Sequence, residues 1–296
     1  MHKIVSFYEF CEQRLDKVTK NKNKILNISK KNSILGTIIL STEGINGTVS
    51  GPSNSIDLLN QLINDLGYKC NIKFSESKKN PFKRLKVKIQ KEIVTFLDLG
   101  KFAKNTGTFI PPEDWDEFIS DEDIKVVDVR NYYETIIGKF PKSIDPNTQT
   151  FTDFINYIDK NLSADKNQKI AMYCTGGIRC EKASSYMKDI GFKNVFQLEG
   201  GIINYLNSVK KENGSWDGEC FVFDERVSLL YNSEVGNFEL CHGCRNPIDN
   251  DDKKSIYYEE GVSCPNCINV RSNEQNEKSR QRQAQINFTR KRKEKL

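Results

Sequence analysis

Residues 169–191 read KIAMYCTGGIRCEKASSYMKDIG, and the three parts of this stretch decide how the chain around it folds. Residues 169–173 are a short apolar run suited to a buried strand. From Arg179 onward, Ala183, Tyr186, Met187 and Ile190 recur at helical spacing, and Gly191 follows as a C-terminal stop. Between strand and helix lies the loop Cys174-Thr175-Gly176-Gly177-Ile178-Arg179. Its paired glycines let the backbone curl, so that the amides of Thr175, Gly176, Gly177 and Ile178 converge on the position of the Cys174 sulfur. The helix adds the positive end of its dipole, and Arg179 adds a full charge. Bringing a thiol pKa from about 8.5 to below 7 takes about 2 kcal/mol of preferential anion stabilisation. A helix terminus supplies about 0.3–1 kcal/mol at an exposed site, so the amides and Arg179 must supply most of the rest. Cys174 is therefore a candidate catalytic thiolate with Arg179 as its partner. The plainer alternative is an inert cysteine beside a structural turn. Cys180, in the first turn of the helix, is either a small packed residue or a thiol placed to resolve an oxidised Cys174.

Outward from this loop, residues 113–213 alternate strand and helix. Glu113 and Asp114 open a helix through Trp115, Phe118 and Ile119, with acids where the dipole favours them. Residues 124–129 read as a buried strand, 153–158 as a helix, 194–198 as a strand and 202–209 as a helix after Gly200-Gly201. The alternation predicts an α/β domain with a largely parallel sheet. In such a sheet the site lies beyond the carboxyl ends of the strands, where Cys174 falls. Asp128 and Arg130 close a strand of the same domain, and either line the pocket or tie loops together.

Residues 1–100 show a different order. Strands are expected at 3–8, 34–40, 47–50, 70–74 and 85–95, with helices at 9–18 and 55–66. The second helix carries Leu59, Leu62, Ile63 and Leu66 on one face and ends at Gly67. This β-α-β-β-α-β order is that of a ferredoxin-like domain. Residues 41–47 (STEGING) read as a loop and turn, with room for a second role beside a ligand. Residues 98–112, ending in Pro111-Pro112, read as the linker.

Residues 214–296 form a third part, an extension rich in cysteine. Two C-x-x-C pairs, Cys241/Cys244 and Cys264/Cys267, are separated by nineteen residues. That spacing suits four thiolates around one zinc ion, and a short segment with few apolar residues needs such a staple. A redox dithiol pair and a metal-free remnant are the alternatives, and His242 reads as a bystander. The tail from Asn273 is polar, read as a frayed helix or a disordered segment able to fold against nucleic acid.

The net charge of +5 hides two basic blocks. Residues 69–91 hold nine Lys/Arg against Glu76, and residues 278–296 hold eight against Glu294, which leaves the remainder net negative by ten. Charge concentrated in this way suits a polyanion, and an ordinary solvated surface is the alternative. The candidate contacts are Lys83, Arg84, Lys86 and Lys88 in the first block and Arg290, Lys291 and Arg292 in the second. Alternation of Leu85, Val87 and Ile89 with Lys86 and Lys88 turns the lysines to the open face of a sheet.

With only His2 and His242 present, a Ser-His-Asp triad, an HExxH zinc site and a two-histidine iron site are excluded. There is no G-x-G-x-x-G or Walker-type loop, so no flavin or nucleotide motif is seen. Apolar runs are too short to span a membrane, and the start MHKIVSFYEFCEQRLDK has no signal-peptide core. Nine cysteines, an odd number, suit a reducing compartment, and the expected location is cytoplasmic.

The 174–179 loop resembles the active-site loop of rhodanese domains, in which a cysteine carries a persulfide. Cysteine phosphatases place five residues between cysteine and arginine, whereas four intervene here, a tighter loop that suits a single sulfur. Over nearly the whole chain, GTIILSTEGINGTVSGP (36–52), PFKRLKVKIQKEIVT (81–95), CTGGIRCEKAS (174–184), GECFVFDERV (218–227) and the CHGC and GVSCPNC pairs resemble the rhodanese-like tRNA uridine hydroxylases. The resemblance implies an acylphosphatase-like N-terminal domain, a rhodanese domain and a cysteine-containing extension. It further implies conversion of the wobble uridine of tRNA to 5-hydroxyuridine, with molecular oxygen as co-substrate and an unidentified electron donor. The family's active-site cysteine, a persulfide intermediate there, falls on Cys174. The residues by themselves support a thiol enzyme acting on RNA but do not give hydroxylation. Either Cys174 adds to C6 of uracil, making C5 electron-rich, or its persulfide delivers the oxygen. A plain sulfurtransferase and a redox-sensing tRNA-binding module are the rival functions.

Overall fold

The computed structural model describes residues 1–97 and 105–293, with the side chains of Lys291 and Lys293 outside the description. The expected linker, 98–112, therefore lies partly outside the described residues. One compact unit comprises residues 1–220 and 230–234, and the remainder forms a second.

The first sheet of the larger unit has the order β4-β1-β3-β2-β5. Its strands are β1 (His2–Phe10), β2 (Leu35–Ser41), β3 (Gly44–Gly51), β4 (Asn71–Ser77) and β5 (Leu85–Ile89). Strand β1 pairs antiparallel with β3 (Val5 opposite Val49) and with β4 (Val5 opposite Phe74), while β5 runs parallel to β2 (Ile38 opposite Val87). Helices α1 (Leu15–Lys31) and α2 (Ser53–Asp65) pack on this sheet. Val18 and Ile25 from α1 and Ile56, Leu59 and Ile63 from α2 join Val5, Phe7, Ile38, Leu40 and Val49 in one core. The acylphosphatase-like, ferredoxin-type domain is thus present, with β5 as a fifth strand.

The helix expected at 9–18 is displaced. Residues 9 and 10 continue β1, and α1 runs through the Lys/Asn-rich stretch up to Lys31. Its buried face is Val18, Asn21, Ile25 and Ser29, a helical spacing in which two members are polar. Apolar periodicity alone cannot see such a stripe. The expected strand at 85–95 ends at Ile89. Residues 41–47 are not a free loop, since Ser41 ends β2, Gly44 begins β3 and Glu43 is fully buried between them.

The second sheet is parallel, in the order β6-β10-β9-β7, from β6 (Thr108–Ile110), β7 (Ile124–Asp128), β9 (Lys169–Tyr173) and β10 (Val195–Leu198). A two-residue β8 (Gly138–Lys139) lies outside it. Around it run α3 (Pro112–Ser120), α4 (Tyr132–Thr135), α5 (Asp153–Tyr157), α6 (Ile178–Asp189) and α7 (Gly201–Ser208). β6 comes from the stretch read as a linker. Trp115, Ala171, Tyr173, Leu198, Ile202 and Tyr205 build one core of this domain, and Trp216, Cys220 and Tyr231 join it. Met172, Cys174, Cys180, Ala183 and Met187 lie in the other.

The second unit is small. A short hairpin pairs Glu239–Leu240 with Pro247–Ile248, α8 (Asn250–Lys254) follows under an Asp249 cap, and α9 covers Asn273–Lys293. The tail is thus helical up to Lys293. The core of this unit is Ile248 and the cysteines, with Tyr258 against them. No described helix is long and apolar enough to cross a membrane.

Candidate active site

Strand β9 ends at Tyr173 and hands the chain to Cys174, while Gly177 caps α6 with φ +99°. Two hydrogen bonds fix the loop from below: Ile202 N–H donates to the Cys174 carbonyl at 2.9 Å and Ile203 N–H to the Thr175 carbonyl at 3.1 Å. Gly201 makes this approach possible. A Cβ there would lie 2.4 Å from the Cys174 carbonyl oxygen and 2.7 Å from Gly177 N.

The Cys174 sulfur accepts from Gly177 N–H at 3.2 Å. Burial pushes its thiol up, but the Cys180 thiol hydrogen bond, the Arg179 charge and the Cys180 and Gly177 amides outweigh it and bring it from 9.0 down to about 5. Cys180 responds in the opposite sense: burial and the neighbouring anion hold it well above the usual thiol range, so it stays a protonated donor. The sequence reading spreads the amide donors over Thr175, Gly176, Gly177 and Ile178. The hydrogen bonds described at the sulfur come from Gly177 and Cys180.

Arg179 does not face the sulfur alone. Its guanidinium grips the fully buried Glu134 through two bonds of 2.6 and 2.7 Å, and it also reaches the Thr175 hydroxyl at 3.2 Å. Burial pushes the Glu134 carboxyl up, yet the Arg179 and Arg130 charges and Asn131 N–H hold it below the usual carboxylate range. Arg130 is buried with Asp128 at 2.6 Å and donates to the Glu134 and Gly138 carbonyls. Asp128 and Arg130 therefore tie loops together rather than line a pocket.

The other side of the loop is closed by the acylphosphatase-like domain. Tyr8 donates to Glu181 at 2.6 Å, and a Cβ on Gly177 would lie 2.8 Å from its hydroxyl oxygen. Lys73 donates to the Gly176 carbonyl. One helical position on, Lys182 donates to both Glu43 oxygens at 2.9 Å, to Glu92 at 2.5 Å and to the Val94 carbonyl at 3.1 Å. Enclosed in this way, Cys174 is 0% exposed. The sequence reading missed Tyr8, Lys73, Glu134 and Glu181. Only Glu134 left a local signal, as the fourth residue of an N-x-x-E capping box begun by Asn131.

In the second unit the four sulfurs of Cys241, Cys244, Cys264 and Cys267 lie within 4.8 Å of one another. Cys244–Cys264 is 3.7 Å and Cys264–Cys267 3.8 Å. Those separations match the edge of a tetrahedron with metal–sulfur bonds of about 2.3 Å. Gly243 N–H donates to the Cys241 sulfur and Cys264 N–H to the Cys267 sulfur, each at 3.3 Å. The four cysteines form a cluster able to bind a metal, and the exposed His242 stands outside it.

Lys83, Arg84, Lys86 and Lys88 are exposed along β5 and the turn before it. Arg290 and Arg292 are exposed near the end of α9, while the Lys291 side chain lies outside the described residues.

Fold and loop together define a rhodanese-type domain fused to an acylphosphatase-like domain. Family models agree: residues 2–93 match the UPF0176 acylphosphatase like domain and residues 111–208 the rhodanese-like domain. The chain is 44% identical over 272 residues to the tRNA uridine(34) hydroxylase of Picosynechococcus sp., covering 90% of this chain and 89% of the relative. It is 43% identical over 289 residues to the enzyme of that name from Agrobacterium fabrum (96% and 90%) and 42% over 294 to that from Prochlorococcus marinus subsp. pastoris (97% and 95%). The chain belongs to the tRNA uridine(34) hydroxylase family.

Proposed function

We propose that this chain is an oxidoreductase that hydroxylates C5 of the wobble uridine of tRNA, with Cys174 as the reacting group and Arg179 holding its loop. The observation that supports this most is the depressed Cys174 thiol at the start of a rhodanese loop, in a chain so close to enzymes of that name. The thiolate adds to C6 of uracil, forming an S–C6 bond and moving the double-bond pair onto C5. C5 takes one atom of molecular oxygen, and two electrons from a separate donor, with two protons, reduce the other to water. Loss of the C5 proton restores the double bond and expels the thiolate. Cys180 keeps its proton and donates to the sulfur, and in this reading it resolves Cys174 when that residue is oxidised. Because the sulfur has no exposure, a base reaches it only after the side chains around it move.

In this reading the tRNA backbone lies against the exposed residues Lys83, Arg84, Lys86 and Lys88 and the basic end of α9, Arg290, Lys291 and Arg292. Neutralising any one of these that pairs with a phosphate should reduce the salt slope of binding by about 0.9. The extension holds one structural zinc through its four cysteines, and the enzyme works in the cytoplasm.

The deciding experiment incubates tRNA with wild-type and Cys174→Ala enzyme and measures 5-hydroxyuridine by nucleoside mass spectrometry. Product from the wild type alone supports the assignment, and undiminished product from Cys174→Ala refutes it. Sulfur transfer from thiosulfate to cyanide without any 5-hydroxyuridine would instead mark a sulfurtransferase.

A further inference from the structure

The charges around the sulfur leave one cation in a different position from the rest. Arg179 is matched by Glu134 through two short bonds, and Arg130 by Asp128. Lys182 sits between Glu43 and Glu92. Lys73 donates instead to a carbonyl, that of Gly176, whose neighbour Gly177 supplies the amide bonded to Cys174. It comes from β4 of the other domain and lies over the Tyr8 ring, 5.6 Å from the centroid. The Tyr8 hydroxyl is held in turn by Glu181, one residue beyond Cys180.

We propose that Lys73, oriented by Tyr8 and the Gly176 carbonyl, is a second cation acting on the Cys174 thiolate beside Arg179, so that the acylphosphatase-like domain completes the sulfur's site. This rests on the reading of Cys174 as the reacting thiolate. A wholly buried anion is costly without charge partners, and Arg179, gripped by Glu134 through two short bonds, delivers only part of its field to the sulfur. The charged and titratable groups around this loop are Tyr8 on β1, Lys73 on β4, and Arg179, Cys180 and Glu181 on α6, with Glu134 paired to Arg179 and Asp128 to Arg130. Burial outweighs the charges of Cys174 and Glu181 and brings Lys73 from 10.5 down to about 8, so it remains largely protonated at neutral pH. Lys73 also leaves the set of basic residues available to RNA: its ammonium turns inward, unlike those of the exposed Lys83, Lys86 and Lys88. It is a positioning residue, acting on the charge state of Cys174 rather than on the base.

The test follows the pH dependence of Cys174 alkylation by iodoacetamide in the full-length chain, resolved from the other cysteines by peptide mass spectrometry. Lys73→Met removes charge and hydrogen bond together, Lys73→Gln keeps a donor without the charge, and Lys73→Arg keeps the charge. The expected result is an alkylation midpoint raised by about one pH unit in both neutral variants, which is about a tenfold loss of thiolate well below the midpoint. Lys73→Arg should return the midpoint toward wild type. Superimposed midpoints overturn the proposal while leaving the thiolate intact. A faster reaction at every pH with no change of midpoint also overturns it, since Lys73 then only closes the loop. A wild-type midpoint in the ordinary thiol range removes the thiolate reading itself, and the second cation with it.

Discussion

Cys174→Ala should change the pH dependence of stability in a manner set by the sulfur's charge. The Cys174 thiol is lowered from 9.0 in an ordinary setting to about 5 in the fold. A group whose folded pKa is depressed stabilises the fold fully above its unfolded pKa, and that stabilisation is lost as pH falls through the folded pKa. The window is therefore pH 9 down to pH 5, with a slope of about 1.4 kcal/mol per pH unit and about 5 kcal/mol in total. At pH 7, midway through the window, about half of this remains. Alanine abolishes the charge and leaves the Gly177 and Cys180 amides without their acceptor, a cost that does not depend on pH. Urea unfolding of both proteins at pH 5, 6, 7, 8 and 9 separates the two effects. The constant offset reports the amides, and the widening gap toward high pH reports the thiolate. A gap that stays flat from pH 5 to 9 would show that the sulfur carries no charge in the fold.

Three further outcomes are expected. Glu134→Gln strands a buried guanidinium and should cost about 3 kcal/mol in urea unfolding, yet the Cys174 alkylation midpoint should fall, because Arg179 then acts on the sulfur unopposed; a raised midpoint contradicts this geometry. Cys180→Ala removes the thiol donor to Cys174 and should raise that midpoint, and equal recovery from peroxide by the variant and wild type would dispose of a resolving role. The chain should carry one zinc by elemental analysis, and Cys264→Ser should release it and expose the 235–296 region to protease, because the cysteines form much of that unit's core; a zinc-free wild type refutes this.

The strand, loop and helix around Cys174 were legible because one contiguous stretch carries the entire signal: an apolar run, two glycines, a charged residue and a helical repeat. The metal-binding cluster was legible for the same reason, each pair being local. What sequence could not show is how the loop is closed. Glu134 lies 45 residues from Arg179, and Tyr8 lies 173 from Glu181. Such partners are chosen by topology, and a buried glutamate reads like any surface one until its cation is placed. The charge of Lys73 was legible, and its direction was not: it falls in a basic block that reads as a single surface, whereas β4 turns this member toward the loop. The extent of α1 was hidden by its buried Asn21, whose amide donates to Tyr68 at 3.3 Å, so a polar residue fills a place that periodicity assigns to an apolar one.

Lys182 shows most directly how the STEG stretch contributes. Its ammonium has carboxylates on two sides, Glu43 from between β2 and β3 and Glu92 from beyond β5, and all three are buried. Burial raises the Glu43 carboxyl, Lys182 and the Ile93 amide lower it, and burial prevails, so Glu43 takes up a proton more readily than a free glutamate. Lys182→Met removes the cation and leaves two carboxyls facing each other in a dry setting, a loss of about 3–5 kcal/mol if both stay charged. They can relieve it by protonation. A carboxyl with a raised folded pKa gives stability that is present at low pH and lost as pH rises through that pKa. The variant should therefore approach wild type near pH 5 and fall furthest behind above pH 7, opposite in origin to Cys174→Ala, where the wild type gains with pH and the variant does not. Lys182→Met should also loosen the tie between α6 and the acylphosphatase-like domain, so Cys174 alkylation should accelerate at all pH values without a change of midpoint. An unchanged alkylation rate in a destabilised Lys182→Met would show that the enclosure of the sulfur does not depend on this joint.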